Sequence, residues 1–237
     1  MTKPFQLKEF SINQDRCAMK IGTDSVLLGA WTSVEHHPFN VLDIGAGTGI
    51  LSLMIAQRSK AKQIEAIEID DNAFEQCAEN FENSPWADRL FCFHASLLEY
   101  IEAVDEKFDL IICNPPFYTE DYKTENNSRD LARFSDAMPM EHIVFAVIHF
   151  LSDNGKFSII VPYKDEQKYI EEVDLIGLFP NRILRVRGNK TSEIKRSLIE
   201  FSYSESPTKI SELIIETERH KYTDDYIELT KDYYLKM

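Results

Sequence analysis

Metal cages, disulfide frames and membrane spans all lack their usual signs in this chain of 237 residues. Its four cysteines, Cys17, Cys77, Cys92 and Cys113, show no C-x-x-C spacing. Each is expected to be a small buried hydrophobe in a reducing compartment. The six histidines show neither H-x-x-x-H nor mixed Cys/His ligand spacing, so no metal site is expected. No run of 18 apolar residues is present, so no membrane span is expected. The opening MTKPFQLKEF lacks the apolar stretch of a signal peptide, which points to the cytoplasm. Positive charge is scarce: 26 Lys and Arg stand against 40 Asp and Glu, a net charge of −14. A surface that acidic repels phosphate backbones, which excludes promiscuous nucleic-acid binding.

What is present is enough apolar sequence for one large α/β domain, 43% of the chain. Apolar runs at 41–45, 64–69, 90–94, 108–113, 156–161, 182–187 and 197–203 predict strands. Helical patterns at 50–58, 71–82, 139–152 and 164–176 fall between most of them. The alternation predicts a doubly wound, mostly parallel sheet. The last two strands flank Gly188-Asn189-Lys190 without a helix between them, and are expected to be an antiparallel pair. The whole chain, 1–237, reads as a single domain: an N-terminal segment 1–35, an α/β core 36–203 and a C-terminal extension 204–237. The extension is expected to add a helix at 223–232. The polar stretch 118–137 predicts a lid on the substrate side. Segment 15–24 precedes a helix-like stretch, with Thr23 or Asp24 as its N-cap.

The most informative residues are Asn114-Pro115-Pro116-Phe117, which end the apolar run Leu110-Ile111-Ile112-Cys113. Neither proline has an N–H, so the turn cannot close its own hydrogen bonds. The Asn114 side-chain oxygen and the Pro115 carbonyl are left to accept from something else, with the flat face of Phe117 beside them. Two acceptors and a stacking ring suit a planar group carrying an exocyclic NH2, such as adenine. A second motif, Val41-Leu42-Asp43-Ile44-Gly45-Ala46-Gly47-Thr48-Gly49, runs from a strand into a helix start. Gly45, Gly47 and Gly49 let the backbone turn tightly and approach a ligand. The spacing is G-x-G-x-G, not the G-x-G-x-x-G of a dinucleotide site. Asp43 would repel a pyrophosphate but suits the ammonium end of S-adenosylmethionine. Glu68 closes the next strand, where a carboxylate can accept both ribose hydroxyls. Asp43 to Gly49, Glu68, Ser96 and Asn114 all fall at predicted strand ends, the rim where such sheets bind ligands.

VLDIGAGTG, AIEID and NPPF together resemble the class I S-adenosylmethionine-dependent methyltransferases that modify exocyclic or amide nitrogens. Segment 15–24, running on to Leu28-Gly29-Ala30-Trp31, resembles a narrower family, the bacterial tRNA(Val) adenine-N6 methyltransferases. Ser84-Pro85-Trp86, Arg129 to Arg133 and the closing Tyr234-Leu235-x-Met237 extend that likeness over nearly the whole chain. The resemblance implies S-adenosyl-L-methionine as cofactor, with Lys20, Gly22 and Thr23 over its methionine end. It implies methyl transfer to N6 of the adenine just 3′ of the anticodon. Asn114, Pro115, Pro116 and Phe117 would form the catalytic turn, and Asn114 would also border the cofactor. Ser96 stands where many relatives carry an acid for the cofactor adenine; its hydroxyl can accept, more weakly. The tRNA is expected to meet Arg129 and Arg133 near the catalytic turn. Farther out it would meet Lys190, Lys195 and Arg196, part of a run, 182–196, holding six basic residues against Glu193 alone. A charged edge strand would read the same way. NPPF also occurs in guanine-N2 and glutamine-amide methyltransferases, and a non-catalytic RNA-binding protein could keep the fold. Nothing in the chain sets the oligomeric state; a monomer is the working expectation.

Overall fold

The computed structural model describes residues 3–116 and 138–237. Phe117, Arg129, Arg133 and the expected 118–137 lid lie outside the described residues. The chain begins with β1 (Phe5–Gln6), β2 (Ser11–Ile12), α1 (Thr23–Trp31), β3 (Asn40–Ile44) and α2 (Ile50–Arg58). It continues through β4 (Gln63–Glu68), α3 (Asp71–Glu82), β5 (Leu90–His94), α4 (Leu97–Ala103) and β6 (Phe108–Cys113). Then come α5 (Met140–Phe150), β7 (Leu151–Pro162), α6 (Glu166–Asp174), β8 (Phe179–Arg187), β9 (Ile194–Ser202) and β10 (Lys209–Ile214). A small β11–β12 pair (Glu216–Glu218, Lys221–Tyr222) and α7 (Asp224–Thr230) end it.

Eight strands form one sheet in the order β10-β8-β9-β7-β6-β3-β4-β5. Only β9 runs against its neighbours, so the expected antiparallel pair is β8 with β9. The other adjacent pairs are parallel. The central strands are apolar without alternation because helices cover both faces. On one face Leu53, Met54 and Ile55 of α2 pack with Val41, Leu110 and Ile112. On the other, Ile143, Val147 and Phe150 of α5 pack with Leu42, Ile111 and Phe157. Every strand of the sheet except β9 therefore ends at one rim, and β9 begins there, Arg196 opposite Pro162.

Helices α2 and α3 fall where the pattern predicts them. Asp70 starts α3 by accepting from the Ala73 N–H at 2.9 Å. Helix α4 was not expected, although Ser96-Leu97-Leu98-Glu99 spells a capping box. The N-cap of α1 is Gly22, with no side-chain hydrogen bond, in place of Thr23 or Asp24. Strand β7 starts at Leu151, directly after α5, and is irregular against Phe108 and Leu110. The C-terminal extension adds more than a helix: β10 joins the sheet edge, parallel to β8. Its side chains are mostly exposed, with Leu213 the buried one, so no apolar run marks it. Tyr226 and Tyr233 enter the same core as Leu7, Phe10 and Ile12, which packs the extension against the N-terminal hairpin.

Candidate active site

The rim opens into a cleft, the place where such sheets bind their ligands. Its walls bring together the glycine loop, Glu68, Ser96 and Asn114, as the strand-end reading expects. Gly45, Gly47 and Gly49 all have positive φ, 73°, 56° and 79°, the left-handed region that favours glycine. A Cβ on Gly45 would lie 2.7 Å from Met138 Cε, and one on Gly49 2.5 Å from Phe81 Cε1. A Cβ on Gly47 would meet nothing within 4 Å, because Gly47 borders the open cleft.

Glu68 is fastened by backbone. Its Oε2 accepts from Gly47 N–H at 2.8 Å, and Oε1 accepts from Ile69 and Asp70 N–H, each at 2.9 Å. Three of its roughly four acceptor directions are thus filled. Burial pushes the carboxyl's pKa up, and the bonds from Asp70, Gly47 and Ile69 pull it back. The charged side chains among the described lining residues are Glu68 and Asp70, both acids. A pyrophosphate would meet only repulsion there, whereas a ligand carrying sulfonium and ammonium charges fits. Ile69, Leu97 and Met138 supply apolar wall for a planar base.

Four expected cofactor residues, Asp43, Lys20, Gly22 and Thr23, do not line the cleft, and a fifth, Ser96, lines it with its hydroxyl engaged. Asp43 lies fully buried behind the loop and does not line the cleft. Its Oδ2 accepts from Ser52 N–H at 3.1 Å and Ser52 Oγ–H at 2.7 Å, while Oδ1 has no partner. Burial raises its pKa from 3.8 to about 7. Lys20, Gly22 and Thr23 do not line the cleft; Cys17, Ala18 and Met19 do. The Lys20 ammonium instead donates to the carbonyls of Gln14 and Cys17. Segment 15–24 is clamped to α3, where Arg16 N–H donates to Gln76 Oε1 at 2.8 Å and its guanidinium meets Glu75 and Glu79. That clamp sets Cys17 to Met19 against the cleft, and its partners lie about 60 positions apart, so no local pattern in the sequence shows it. Burial pushes the Cys17 thiol up to about 12, so the group stays protonated and does not compete as a nucleophile. Ser96 lines the cleft, but its hydroxyl donates to Glu99 Oε2 at 2.7 Å and accepts from Glu99 N–H.

Asn114 directly follows β6 and reaches the cleft with Pro116, while Pro115 is buried. The Asn114 Nδ2–H donates to Ser25 Oγ at 3.0 Å. Ser25, in the first turn of α1, drew no attention in the sequence; serine beside a charged residue at a helix start gives no distinctive signal.

The basic run behaves differently from its composition. Arg182 pairs with Glu200 at 2.8 Å, Arg185 with Glu166 at 2.8 Å, and Arg187 with Glu212 at 2.8 Å. Arg196 pairs with Asp24 at 2.7 Å. Lys190 and Lys195 are exposed. Among the described residues no helix is long and apolar enough to cross a membrane, and no group of three or more His, Cys, Asp or Glu could hold a metal.

Comparison with known proteins agrees with this geometry. The family described as "Methyltransferase small domain" matches residues 19–169. A protein of Flavobacterium johnsoniae named tRNA1(Val) (adenine(37)-N6)-methyltransferase is 58% identical over 98% of this chain and 100% of its own length. Its namesakes in Flavobacterium psychrophilum and Bacteroides fragilis are 56% and 41% identical over 98% and 100% of this chain, and over the whole of their own lengths. A solved structure titled a predicted O-methyltransferase, from Agrobacterium tumefaciens, shares the fold at TM-score 0.66 and 19% identity, covering 89% of this chain and 96% of that one. The chain belongs to the small methyltransferase domain family and, within it, to the tRNA1(Val) (adenine(37)-N6)-methyltransferase family.

Proposed function

We propose that this protein transfers a methyl group from S-adenosylmethionine to N6 of the adenine just 3′ of the anticodon in tRNA(Val). The observation that carries the reading is the Asn114-Pro115-Pro116 turn opening onto the same cleft as the glycine loop and Glu68. The cofactor, when bound, supplies an electrophilic methyl on a positively charged sulfur. Glu68 and Gly47 would hold its ribose end, with Asp70 as the second acceptor where Glu68 has one direction left. Asn114 Oδ1 and the Pro115 carbonyl accept the two N–H groups of the amine. They thereby aim the nitrogen lone pair and stabilise the positive charge that grows on nitrogen. The nitrogen–carbon bond forms as the carbon–sulfur bond breaks, the pair leaving with a neutral thioether. The product nitrogen then loses one proton to water. No strong base is needed, so orientation and proximity supply most of the rate. Phe117 would supply the stacking ring, worth about 1–3 kcal/mol by analogy with single-strand binders. An anticodon-loop base is close to single-stranded, which lowers the cost of extruding it.

Lys190 and Lys195, with Arg196 behind them, are the proposed outer contacts of the tRNA, and Arg129 with Arg133 the inner ones. A cytoplasmic location follows from that substrate. The test is incubation of unmodified tRNA with enzyme and labelled S-adenosylmethionine, followed by nucleoside mass spectrometry. N6-methyladenosine confined to tRNA(Val) is expected. N2-methylguanosine, or label in protein glutamine, would overturn the substrate assignment while keeping the cofactor.

A further inference from the structure

The side-chain amide of Asn114 has two unlike ends. Turning it by 180° swaps a carbonyl oxygen for an NH2 in almost the same volume. Only one orientation serves the reaction proposed above, since an amine substrate offers N–H groups and needs an acceptor. The other would set NH2 against NH2. Something on the protein side has to choose between them.

The group placed to do so is the Ser25 hydroxyl, 3.0 Å from Asn114 Nδ2 and accepting from it. With Nδ2 turned to Ser25, Oδ1 is left for the cleft. An N–H donated to a hydroxyl also polarises the amide, which strengthens its oxygen as an acceptor. Ser25 itself rides on a fixed turn. Its neighbour Asp24 is bound to Arg196 of β9 at 2.7 Å, and both side chains are partly buried. Asp24 in the first turn also complements the positive end of α1. Of the stretch Gly22-Thr23-Asp24-Ser25, Ser25 thus meets the Asn114 amide while Asp24 ties the turn to β9.

We propose that Ser25 is a positioning residue: it orients Asn114 so that Oδ1 faces the substrate, and the Asp24–Arg196 ion pair holds the helix turn from which it acts. This rests on the reaction assigned above. Arg196 then serves as an anchor of the catalytic turn.

The test uses the full chain with saturating tRNA and S-adenosylmethionine. Ser25→Ala should lower kcat about five- to tenfold, the scale of one neutral hydrogen bond. The KM for S-adenosylmethionine should stay within about twofold, and Ser25→Thr, which keeps the hydroxyl, should restore most of the rate. In a double-mutant cycle, Ser25→Ala should cost nothing further once Asn114 is alanine, since the hydroxyl then has no amide to orient. A second arm reads the contact without turnover. With 15N-labelled asparagine, the Asn114 side-chain signal, assigned by its loss in Asn114→Ala, should move and exchange faster in Ser25→Ala. Full activity of Ser25→Ala, equal losses in both backgrounds, or an unmoved amide signal would overturn the assignment. If the unmutated protein methylates no tRNA, the reaction reading fails, and the amide signal alone decides whether Ser25 orients Asn114.

Discussion

The two halves of the sheet hold their carboxylates in opposite ways. From β5 to β6, Asp43 and Glu68 are bonded by N–H groups of Ser52, Gly47, Ile69 and Asp70 and by the Ser52 hydroxyl. From β7 to β10, Glu166, Glu200 and Glu212 are bonded by arginine. A backbone amide orients a carboxylate without cancelling its charge, so Glu68, with Asp70 beside it, leaves the cleft acidic and suited to a cationic ligand, while Asp43 braces the loop from behind. An arginine cancels the charge it binds. The second half is consequently far less basic than its sequence, and little of its positive charge is left to meet RNA. One fold thus presents an acidic cleft wall and a nearly neutral flank from almost the same residue types.

The sharpest test of the contrast is at its boundary, where Asn114 joins the two halves. Asn114→Ala should reduce methyl transfer by roughly two or more decades, the scale of losing one oriented transition-state contact. Binding of S-adenosylmethionine, read by calorimetry, should stay nearly intact. A mutant retaining half of the turnover would remove Asn114 from the chemistry.

Within the second half, Arg182→Ala should destabilise the fold. Glu200 has a side chain only 1% exposed and would be left with Lys156 and the Ser33 N–H. Breaking a buried pair costs up to about 3–5 kcal/mol; with Lys156 remaining and Arg182 a third exposed, about 2 kcal/mol is expected. Chemical denaturation measures it. A stable variant with weakened tRNA binding would instead make Arg182 an RNA contact.

Within the first half, stability should respond to pH through Asp43. Its carboxyl ionises near 7 in the folded chain, raised from 3.8 by burial. Between those values the folded chain keeps a proton that the unfolded chain has lost. Stability is therefore present at low pH and falls as pH rises through that window, by at most about 1.4 kcal/mol per pH unit. Burial moves Glu68 in the same direction. Asp43→Asn should flatten the fall, read as Tm against pH. A wild-type Tm that rises across the window would mean that Asp43 is charged in the fold.

These differences also explain what was legible beforehand. Strand-end acids and glycines betray the first half because their contacts stay within one strand–helix–strand unit, at most 21 positions apart. The central strands and helices α2 and α3 are legible for the same reason: burial on both faces leaves long apolar runs, and Asp70 sits one residue before α3. Ion pairs such as Arg196 with Asp24, 172 positions apart, depend on sheet register, which no local pattern carries. Strand β10 escaped because an edge strand with exposed side chains needs no apolar run. That Cys17 to Met19 line the cleft was not legible because the clamp on α3 is tertiary. Helix α4 had a readable cap in Ser96 and Glu99.

The smallest expected effect concerns the cations left over. If the second half is nearly neutral, tRNA affinity must rest on few charges, and Lys190 in the β8–β9 turn and Lys195 at the start of β9 are the exposed ones in the basic run. Each phosphate contact contributes about 0.7–0.9 to the slope of log affinity against log salt. Reversing both, Lys190→Glu with Lys195→Glu, should flatten that slope by about one to two and raise the apparent KM for tRNA. Turnover at saturating tRNA and binding of S-adenosylmethionine should be spared, because neither lysine borders the cleft. Filter binding from low to moderate salt reads the slope directly. An unchanged slope would mean that the β8–β9 edge is only a charged strand edge, and that the tRNA crosses another face of the protein.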